Sequence, residues 1–149
     1  MKIELVQTAA QLQECLQIRQ TVFIKEKGVP KEIEIDAMDD LQSSCTHFLV
    51  CDGKNPIGTF RCANMDKNTI KVQRLCFLKE SRGKGFGRQA LVFLEAWSRQ
   101  QNKNRIEIDA KQDVYPFYEK CGYQKISDPF LEAGIPHVRM EKRLDMGER

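Results

Sequence analysis

The sequence contains no long hydrophobic run, no tandem repeat and no CxxC motif. No stretch of its 149 residues approaches the roughly 20 apolar residues that a membrane-spanning helix needs, which excludes an integral helical membrane protein. The first 15 residues lack the apolar segment and the small-residue cleavage site of a signal peptide, so we expect a cytoplasmic protein. No period of about 20 to 50 residues recurs, and solenoid architectures are therefore unsupported.

Six cysteines are present, and four of them lie within apolar runs that are typical of helices or strands. Three disulfides would be possible by number alone. Because none of the cysteines forms a CxxC pair, we expect free and mostly buried thiols instead. The six are Cys15, Cys45, Cys51, Cys62, Cys76 and Cys121.

Length and composition indicate one globular domain, residues 1–149, with 41% hydrophobic and 30% charged residues. The 24 basic residues exceed the 21 acidic residues only slightly, for a net charge of +3, and they are spread along the chain. A nucleic-acid-binding protein usually concentrates its basic residues on one face. We therefore expect neither nucleic acid nor a membrane as a partner.

The first half of the chain predicts a strand at residues 2–6 and a helix at about residues 9–27. Thr8 and Gln11 have the spacing of a capping box, and Gly28 and Pro30 end the helical pattern. Residues 31–45 have no clear periodicity and are acidic, so we expect a loop. A loop of this length is either functional or simply a solvated surface, and the pattern leaves both interpretations open.

The pattern then changes to strands at residues 48–51, 57–63 and 70–77, which predicts three antiparallel strands joined by hairpins. The alternation of faces slips near Gln73 and Arg74, as it does in a β-bulge or in a strand buried on both faces. The second half predicts helices at about 88–101 and 114–121, and strands at 105–110, 123–126 and 138–143. This order indicates at least one parallel crossover, hence a mixed α/β sheet.

The most informative segment is a turn with three glycines between an apolar strand and an amphipathic helix. The N–H groups at such a helix start lack internal partners, and together with the helix dipole they bind anions such as phosphate. Arg82, Lys84 and Arg88 add positive charge there. The Walker pattern GxxxxGK[ST] is absent, and the glycines do not have the GxGxxG spacing of a Rossmann fold.

Two motifs resemble the GNAT superfamily of N-acetyltransferases. Arg82-x-x-Gly85-x-Gly87 resembles its [Gln/Arg]xxGx[Gly/Ala] signature, and residues 117–123 resemble its FYxxxG[FY] segment. The segments at 19–36 and 133–137 resemble the small bacterial branch of YjcF- and ElaA-like acetyltransferases. The resemblance implies a single-domain, mostly antiparallel α/β sheet with flanking helices, in which the fourth and fifth strands are splayed.

The resemblance also implies acetyl-CoA as cosubstrate and no metal. The glycine turn is expected to bind the pyrophosphate, and main-chain groups of the fourth strand are expected to hold the pantetheine arm and polarise the thioester. The expected cofactor-binding residues are Leu75, Cys76, Phe77, Arg82, Gly83, Lys84, Gly85, Phe86, Gly87, Arg88 and Tyr118.

Among the expected catalytic residues, Tyr118 matches the family tyrosine that is proposed as the general acid for the departing thiolate. Tyr115 is a weaker alternative for the general acid. Glu34 and His137 are the two candidates for the general base. Cys76 raises a second mechanism in which a thiol takes the acetyl group first. Arg19, Glu26 and Arg74 are further candidates for the acceptor pocket. Where many relatives have Asn-Ala-Gln, this chain has Asp109 and Lys111 in place of the two amide residues. Whether the contacts that those amide side chains make with CoA or the acceptor are kept here is therefore left open.

The resulting hypothesis is an acetyl-CoA-dependent N-acetyltransferase that acts on a primary amine by direct attack in a ternary complex. The alternative is a module that senses acyl-CoA, or serves as an interaction domain, without turnover. An amine-bearing acceptor is the expected partner; its identity and a homodimeric assembly stay open.

Overall fold

The computed structural model describes residues 1–147. The predicted domain extends to residue 149, and its last two residues lie outside the described part. Eight strands form one sheet in the order β1-β2-β3-β4-β5-β8-β6, and β7 pairs with β8 beside this path. Every pairing is antiparallel except that of β4 with β5. The strands are β1 (Lys2–Leu5), β2 (Thr46–Asp52), β3 (Asn55–Asn64), β4 (Thr69–Phe77), β5 (Arg105–Lys111), β6 (Gln124–Lys125), β7 (Phe130–Glu132) and β8 (Ile135–Arg143).

The predicted mixed and mostly antiparallel α/β fold is thus confirmed. Four α-helices accompany the sheet: α1 (Ala9–Arg19), α2 (Lys31–Glu34), α3 (Phe86–Gln100) and α4 (Tyr115–Lys120). A π-helical segment, Gln20–Glu26, continues α1, and a 3-10 turn, Lys79–Ser81, precedes α3. None of the helices described in residues 1–147 is long and apolar enough to span a bilayer.

The first helix begins with the predicted capping box. The Gln11 N–H donates to Thr8 Oγ1 at 3.1 Å, and the Thr8 N–H donates back to Gln11 Oε1 at 3.1 Å. The helical segment extends over about the predicted range, 9–27. It is α-helical only to Arg19 and π-helical from Gln20 to Glu26. The π-helical turns that follow include a bond from the Lys27 N–H to the Val22 carbonyl, and Gly28, with φ of 75°, ends them.

Two short elements were missing from the sequence interpretation. The stretch 31–45 was expected to be a loop throughout, but it opens with α2, whose four residues are too few to show helical periodicity. The three-residue strand β7 was also not predicted, and it pairs with the start of β8 through a turn at Ala133 and Gly134, both at positive φ. Both corrections concern elements that lie beside the site described below.

Helices cover both faces of the sheet. Phe48 and Val50 of β2 pack in the larger core cluster with Ala90, Leu91 and Leu94 of α3. Alternate residues of the same strand, Leu49 and Cys51, pack with α1 in a smaller cluster. Because successive strand side chains point to opposite faces, α1 and α3 lie on opposite sides of the sheet. All six cysteines are free, and five are buried, as predicted.

Strands β4 and β5 separate halfway along their length. Their parallel pairing ends at Val72 and Ile108, after which β5 continues beside β8 alone. In the pairing of β3 with β4, Thr59 lies opposite Cys76 and Arg61 lies opposite Gln73, so β4 has one extra residue between these pairs. Arg74, within this stretch, has a φ of 58°. The predicted bulge is therefore present, and it bends β4 away from β5. A gap opens between the two strands as a result.

Candidate functional site

A cleft of about 840 Å³ occupies the gap between β4 and β5. Its walls come from both strands, the π-helical segment, α2, the glycine turn, α4 and the β7–β8 hairpin. The predicted site residues converge on it, and all of them except Lys84 form part of its wall: Glu34, Leu75, Cys76, Phe77, Arg82, Gly83, Gly85, Phe86, Gly87, Arg88, Tyr118 and His137. Residues from five separate parts of the chain thus meet at one place.

The glycine turn forms one end of this cleft. Gly83 and Gly85 have φ of 76° and 84°, conformations that favour glycine, and Gly85 is the N-cap of α3. Within residues 1–147, no hydrogen-bond acceptor faces the N–H groups from Gly83 to Gly87. Lys84 and Arg88 are exposed beside them. Bare amides at the start of a 15-residue helix, with two cations beside them, form an arrangement that is suited to binding an anion.

Arg82, which was expected to add positive charge at the turn, also makes contacts within the protein. Its Nη1 and Nη2 donate to the Glu26 carboxylate at 2.7 and 3.0 Å, and its Nε donates to the Phe77 carbonyl at 3.0 Å. The hydrogen bonds from Arg82 lower the pKa of Glu26. The side chain therefore ties the turn to both the π-helical segment and the end of β4.

The end of β4 has one paired and one free edge. Cys76 and Phe77 lie opposite Thr59 and Gly58 of β3, and the Leu78 N–H donates to the Ile57 carbonyl at 2.8 Å. Because a trans peptide directs its C=O opposite to its N–H, the Phe77 carbonyl faces the cleft side, where Arg82 reaches it. The side of β4 turned away from β3 is therefore where a ligand backbone would pair.

Cys76 is buried, and its side chain packs in the small cluster with α1. Burial raises the pKa of its thiol far above the ordinary value. A thiol in this environment stays protonated at neutral pH and is a weak nucleophile.

Tyr118 lies on α4 with its ring between Phe117 and Tyr123, at centroid distances of 5.1 and 5.9 Å. It is 8% exposed, and burial raises the pKa of its phenol. The hydroxyl therefore carries its proton at neutral pH, as a general acid must. Tyr115 does not line the cleft, and its ring instead contacts the Lys125 ammonium, 4.8 Å from the ring centroid.

Glu34 is 2% exposed and lies between two guanidinium groups. Its Oε1 is 2.8 Å from Arg19 Nε and 3.3 Å from Arg74 Nε, whereas its Oε2 has no hydrogen-bond partner among the described residues. Arg74 lines the cleft, but Arg19 and Glu26 do not. The expectation that all three line an acceptor pocket is thus wrong for two of them.

Arg19 instead belongs to a buried network beneath the acidic stretch. Its guanidinium donates to Glu34 and to both oxygens of Asp39, and Arg61 donates to Asp36 and Asp39 at 2.8 Å. Buried charges need such partners. The acidic loop is therefore anchored to the sheet, and the network fixes the position of α2 at the cleft.

His137 lies on β8, opposite Lys111 of β5 in the sheet register. Its Nδ1 is 2.7 Å from the Ile135 carbonyl, its ring stacks on Phe130, and its Nε2 is 3.6 Å from Glu132 Oε2. A carbonyl only accepts, so Nδ1 carries the proton in the neutral ring and Nε2 is left as the basic nitrogen.

Several cleft residues were not predicted from the sequence. Phe23 and Lys27 come from the π-helical segment and its end, and Ile33 comes from α2. Glu132 belongs to the unpredicted strand β7. Its proximity to His137 had only a weak signal in the sequence, because Gly134 alone is a typical turn residue.

A family model described as an acetyltransferase (GNAT) domain matches residues 12–144. The uncharacterised N-acetyltransferase YjcF of Bacillus subtilis is 36% identical over 143 residues, which are 95% of this chain and 99% of that protein. A crystal structure from Lactobacillus plantarum, provisionally described as an N-acetyltransferase, is 33% identical with a TM-score of 0.89, over 96% of this chain and 97% of the other. Escherichia coli ElaA has a similar fold, with a TM-score of 0.83 at 22% identity, over 96% of this chain and 100% of the other.

Proposed function

The chain belongs to the GNAT family of acetyltransferases, and from this membership we propose that it transfers the acetyl group of acetyl-CoA directly to a primary amine. The observation that carries the proposal is the continuity of one cleft, which runs from the bare amides of the glycine turn to the gap between β4 and β5. A cosubstrate with a diphosphate at one end and a thioester at the other matches both ends.

The diphosphate is bound by the N–H groups from Gly83 to Gly87, with Lys84 and Arg88 as charge partners. This assignment is supported by the absence of competing acceptors among the described residues and by the helix dipole of α3. Arg82 contributes by holding the turn in place through Glu26 and Phe77.

The pantetheine arm lies along the free edge of β4, where Leu75, Cys76 and Phe77 contribute main-chain groups. An N–H there stabilises the negative charge that develops on the thioester oxygen as the amine attacks. Because β5 leaves β4 after Val72, the arm replaces a missing strand and needs no change in the sheet.

Tyr118 supplies the proton to the departing CoA thiolate. Burial raises the pKa of its phenol, so the hydroxyl holds at neutral pH the proton that this step requires. Among residues 1–147 the buried thiol of Cys76 is hydrogen-bonded to no base, which favours direct transfer over an acetyl-cysteine intermediate.

His137 removes the proton that the acceptor amine carries at neutral pH. Its Nε2 lies 3.6 Å from Oε2 of Glu132, which also lines the cleft, and that carboxylate stabilises the imidazolium that forms. Glu34 is less suited to this step because Arg19 and Arg74 engage its Oε1.

A cytoplasmic location is part of the proposal. The six free thiols support it, because thiols stay reduced in that compartment, where acetyl-CoA is also available.

The proposal is tested by thermal shift followed by thiol release. Acetyl-CoA at roughly 100 times its Kd should add about 2.7 kcal/mol of stability. At about 2 to 4 °C per kcal/mol, the Tm should rise by roughly 5 to 10 °C, while NAD and ATP leave it unchanged. CoA release should then accelerate with at least one member of an amine panel. Stabilisation without any amine-dependent release would instead favour an acyl-CoA sensor.

A further inference from the structure

The cleft contains three lysines that differ in their ion pairing: Lys27, Lys71 and Lys111. Lys71 Nζ lies 2.8 Å from Asp109 Oδ2, and Lys27 Nζ lies 3.5 Å from Glu26 Oε2. Lys111 forms no ion pair with any residue in the described range, 1–147. Asp113 and Glu26 attract its ammonium only beyond ion-pair distance, which is an uncommon environment for a half-buried lysine.

The Lys111 side chain reaches from β5 to Phe23 of the π-helical segment, which also lines the cleft. Lys111 is the last residue of β5, beyond the last pairing of that strand with β4. Its Nζ lies over the ring of Phe23, 5.7 Å from the ring centroid, and Phe23 belongs to the cluster that packs on the β4 side with Cys76. The amine thus lies beside the stretch of β4 to which the thioester is assigned.

The environment also favours the reactive form of this amine. Burial, and after it the charge of Lys27, lowers the pKa of Lys111 below its ordinary value. A larger fraction of this amine is consequently neutral at a given pH than of a solvated lysine, and only the neutral amine is a nucleophile.

We propose that Lys111 is a site of self-acetylation by bound acetyl-CoA. The inference rests on the proposed function, because the thioester has to lie in the gap. In the reaction, the lone pair of Nζ attacks the thioester carbonyl, an N–C bond forms and the C–S bond breaks. Nζ gives up one proton to solvent, and the CoA thiolate takes one proton, so the products are acetyl-lysine and CoA.

The modification changes the cleft. It removes the positive charge at the end of β5 and replaces it with a neutral amide, which cannot maintain the cation–π contact with Phe23. Acetylation in the absence of an acceptor therefore gives a second, covalent state of the same site.

The experiment incubates the purified full-length protein with acetyl-CoA and without an acceptor, and follows intact mass and acetylated peptides. One acetyl group should appear on Lys111 at least about tenfold faster than on Lys54, an exposed lysine in the β2–β3 turn, because the bound thioester is held near Lys111 and Lys54 lies outside the cleft. The rate should be independent of protein concentration. Lys111→Arg should abolish the fast phase, and the matched control Lys54→Arg should retain it.

Three outcomes separate the claims. Stabilisation by acetyl-CoA with Lys111 acetylated no faster than Lys54 overturns self-acetylation and leaves the proposed function intact. Equal rates at Lys111 in native and urea-unfolded protein overturn it as well, because the reaction is then chemical and independent of the fold. Failure of acetyl-CoA to stabilise the protein at all overturns both proposals.

Discussion

Gly85 provides a direct test of the proposed pyrophosphate site. Its φ of 84° lies in the left-handed region, and a Cβ built there meets no atom within 4 Å. Gly85→Ala therefore introduces no clash, and its only direct cost is backbone strain of about 1–2 kcal/mol for an L residue. At about 2–4 °C per kcal/mol, differential scanning calorimetry should record a Tm lower by roughly 2–8 °C.

The effect on binding has a separate origin. If the turn relieves the strain by leaving the left-handed conformation, at least one amide in the range 83–87 no longer points at the ligand. A hydrogen bond to a charged group contributes about 1.5–3 kcal/mol. Loss of one such bond should raise the Kd for acetyl-CoA by about 10- to 150-fold, as measured by isothermal titration calorimetry.

Gly53 offers the matched control for this substitution. It has a φ of 62° in the β2–β3 turn, a Cβ there also meets no atom within 4 Å, and it does not line the cleft. Gly53→Ala should lower the Tm by a similar amount and leave the Kd unchanged. If Gly85→Ala lowers the Tm with an unchanged Kd, or if both variants weaken binding equally, the turn does not bind the pyrophosphate.

Four other predictions concern the chemistry and the pH dependence. Tyr118→Phe should lower kcat for CoA release by about 100-fold at an unchanged Kd for acetyl-CoA; full turnover would remove the acid assignment. His137→Gln should lower kcat/KM most strongly near neutral pH. The kcat/KM of the variant should recover as the pH rises, because the amine then loses its proton without a base. A loss of kcat/KM that does not depend on pH would contradict this role. Cys76→Ala should retain turnover, whereas an inactive but folded variant that still binds acetyl-CoA would indicate the two-step route. Burial opposes the ionisation of Asp39, but hydrogen bonds from Arg19 and the backbone lower its pKa from 3.8 to about 2. Its stabilising contribution, about 2 kcal/mol, is present above about pH 4 and should be lost towards about pH 2 in urea denaturation series, and constant stability over that interval would refute it.

Local signals were sufficient where a short stretch of sequence has one stable conformation. Thr8 and Gln11 identified the start of α1 because a capping box involves only residues three apart. The phase slip near Arg74 identified the bulge, since one extra residue reverses the alternation of faces. Helix α2, by contrast, has only four residues and strand β7 only three. A periodic pattern of hydrophobic residues cannot be recognised over such short segments.

The site itself was predicted as a set of residues but not as a set of contacts. Arg82 was expected to add positive charge to the cofactor site, and nothing local indicated that it pairs with Glu26, 56 residues away. Glu34 was one of two candidates for the general base, and nothing local indicated that Arg19 and Arg74 both reach its Oε1. Glu132 became a neighbour of His137 only because β7 pairs with β8.

The amino-acid sequence alone therefore determined the glycine turn, the strand-to-helix junction that it opens and the motifs of an acetyltransferase. These features depend on the conformational range of glycine and on residues adjacent in the chain. Only the tertiary structure decided which charges are paired, which residues line the gap between β4 and β5, and that the Lys111 amine lies beside Phe23 without an ion pair among the described residues. The reason is that contacts between distant residues depend on strand register and on packing, which no local period encodes.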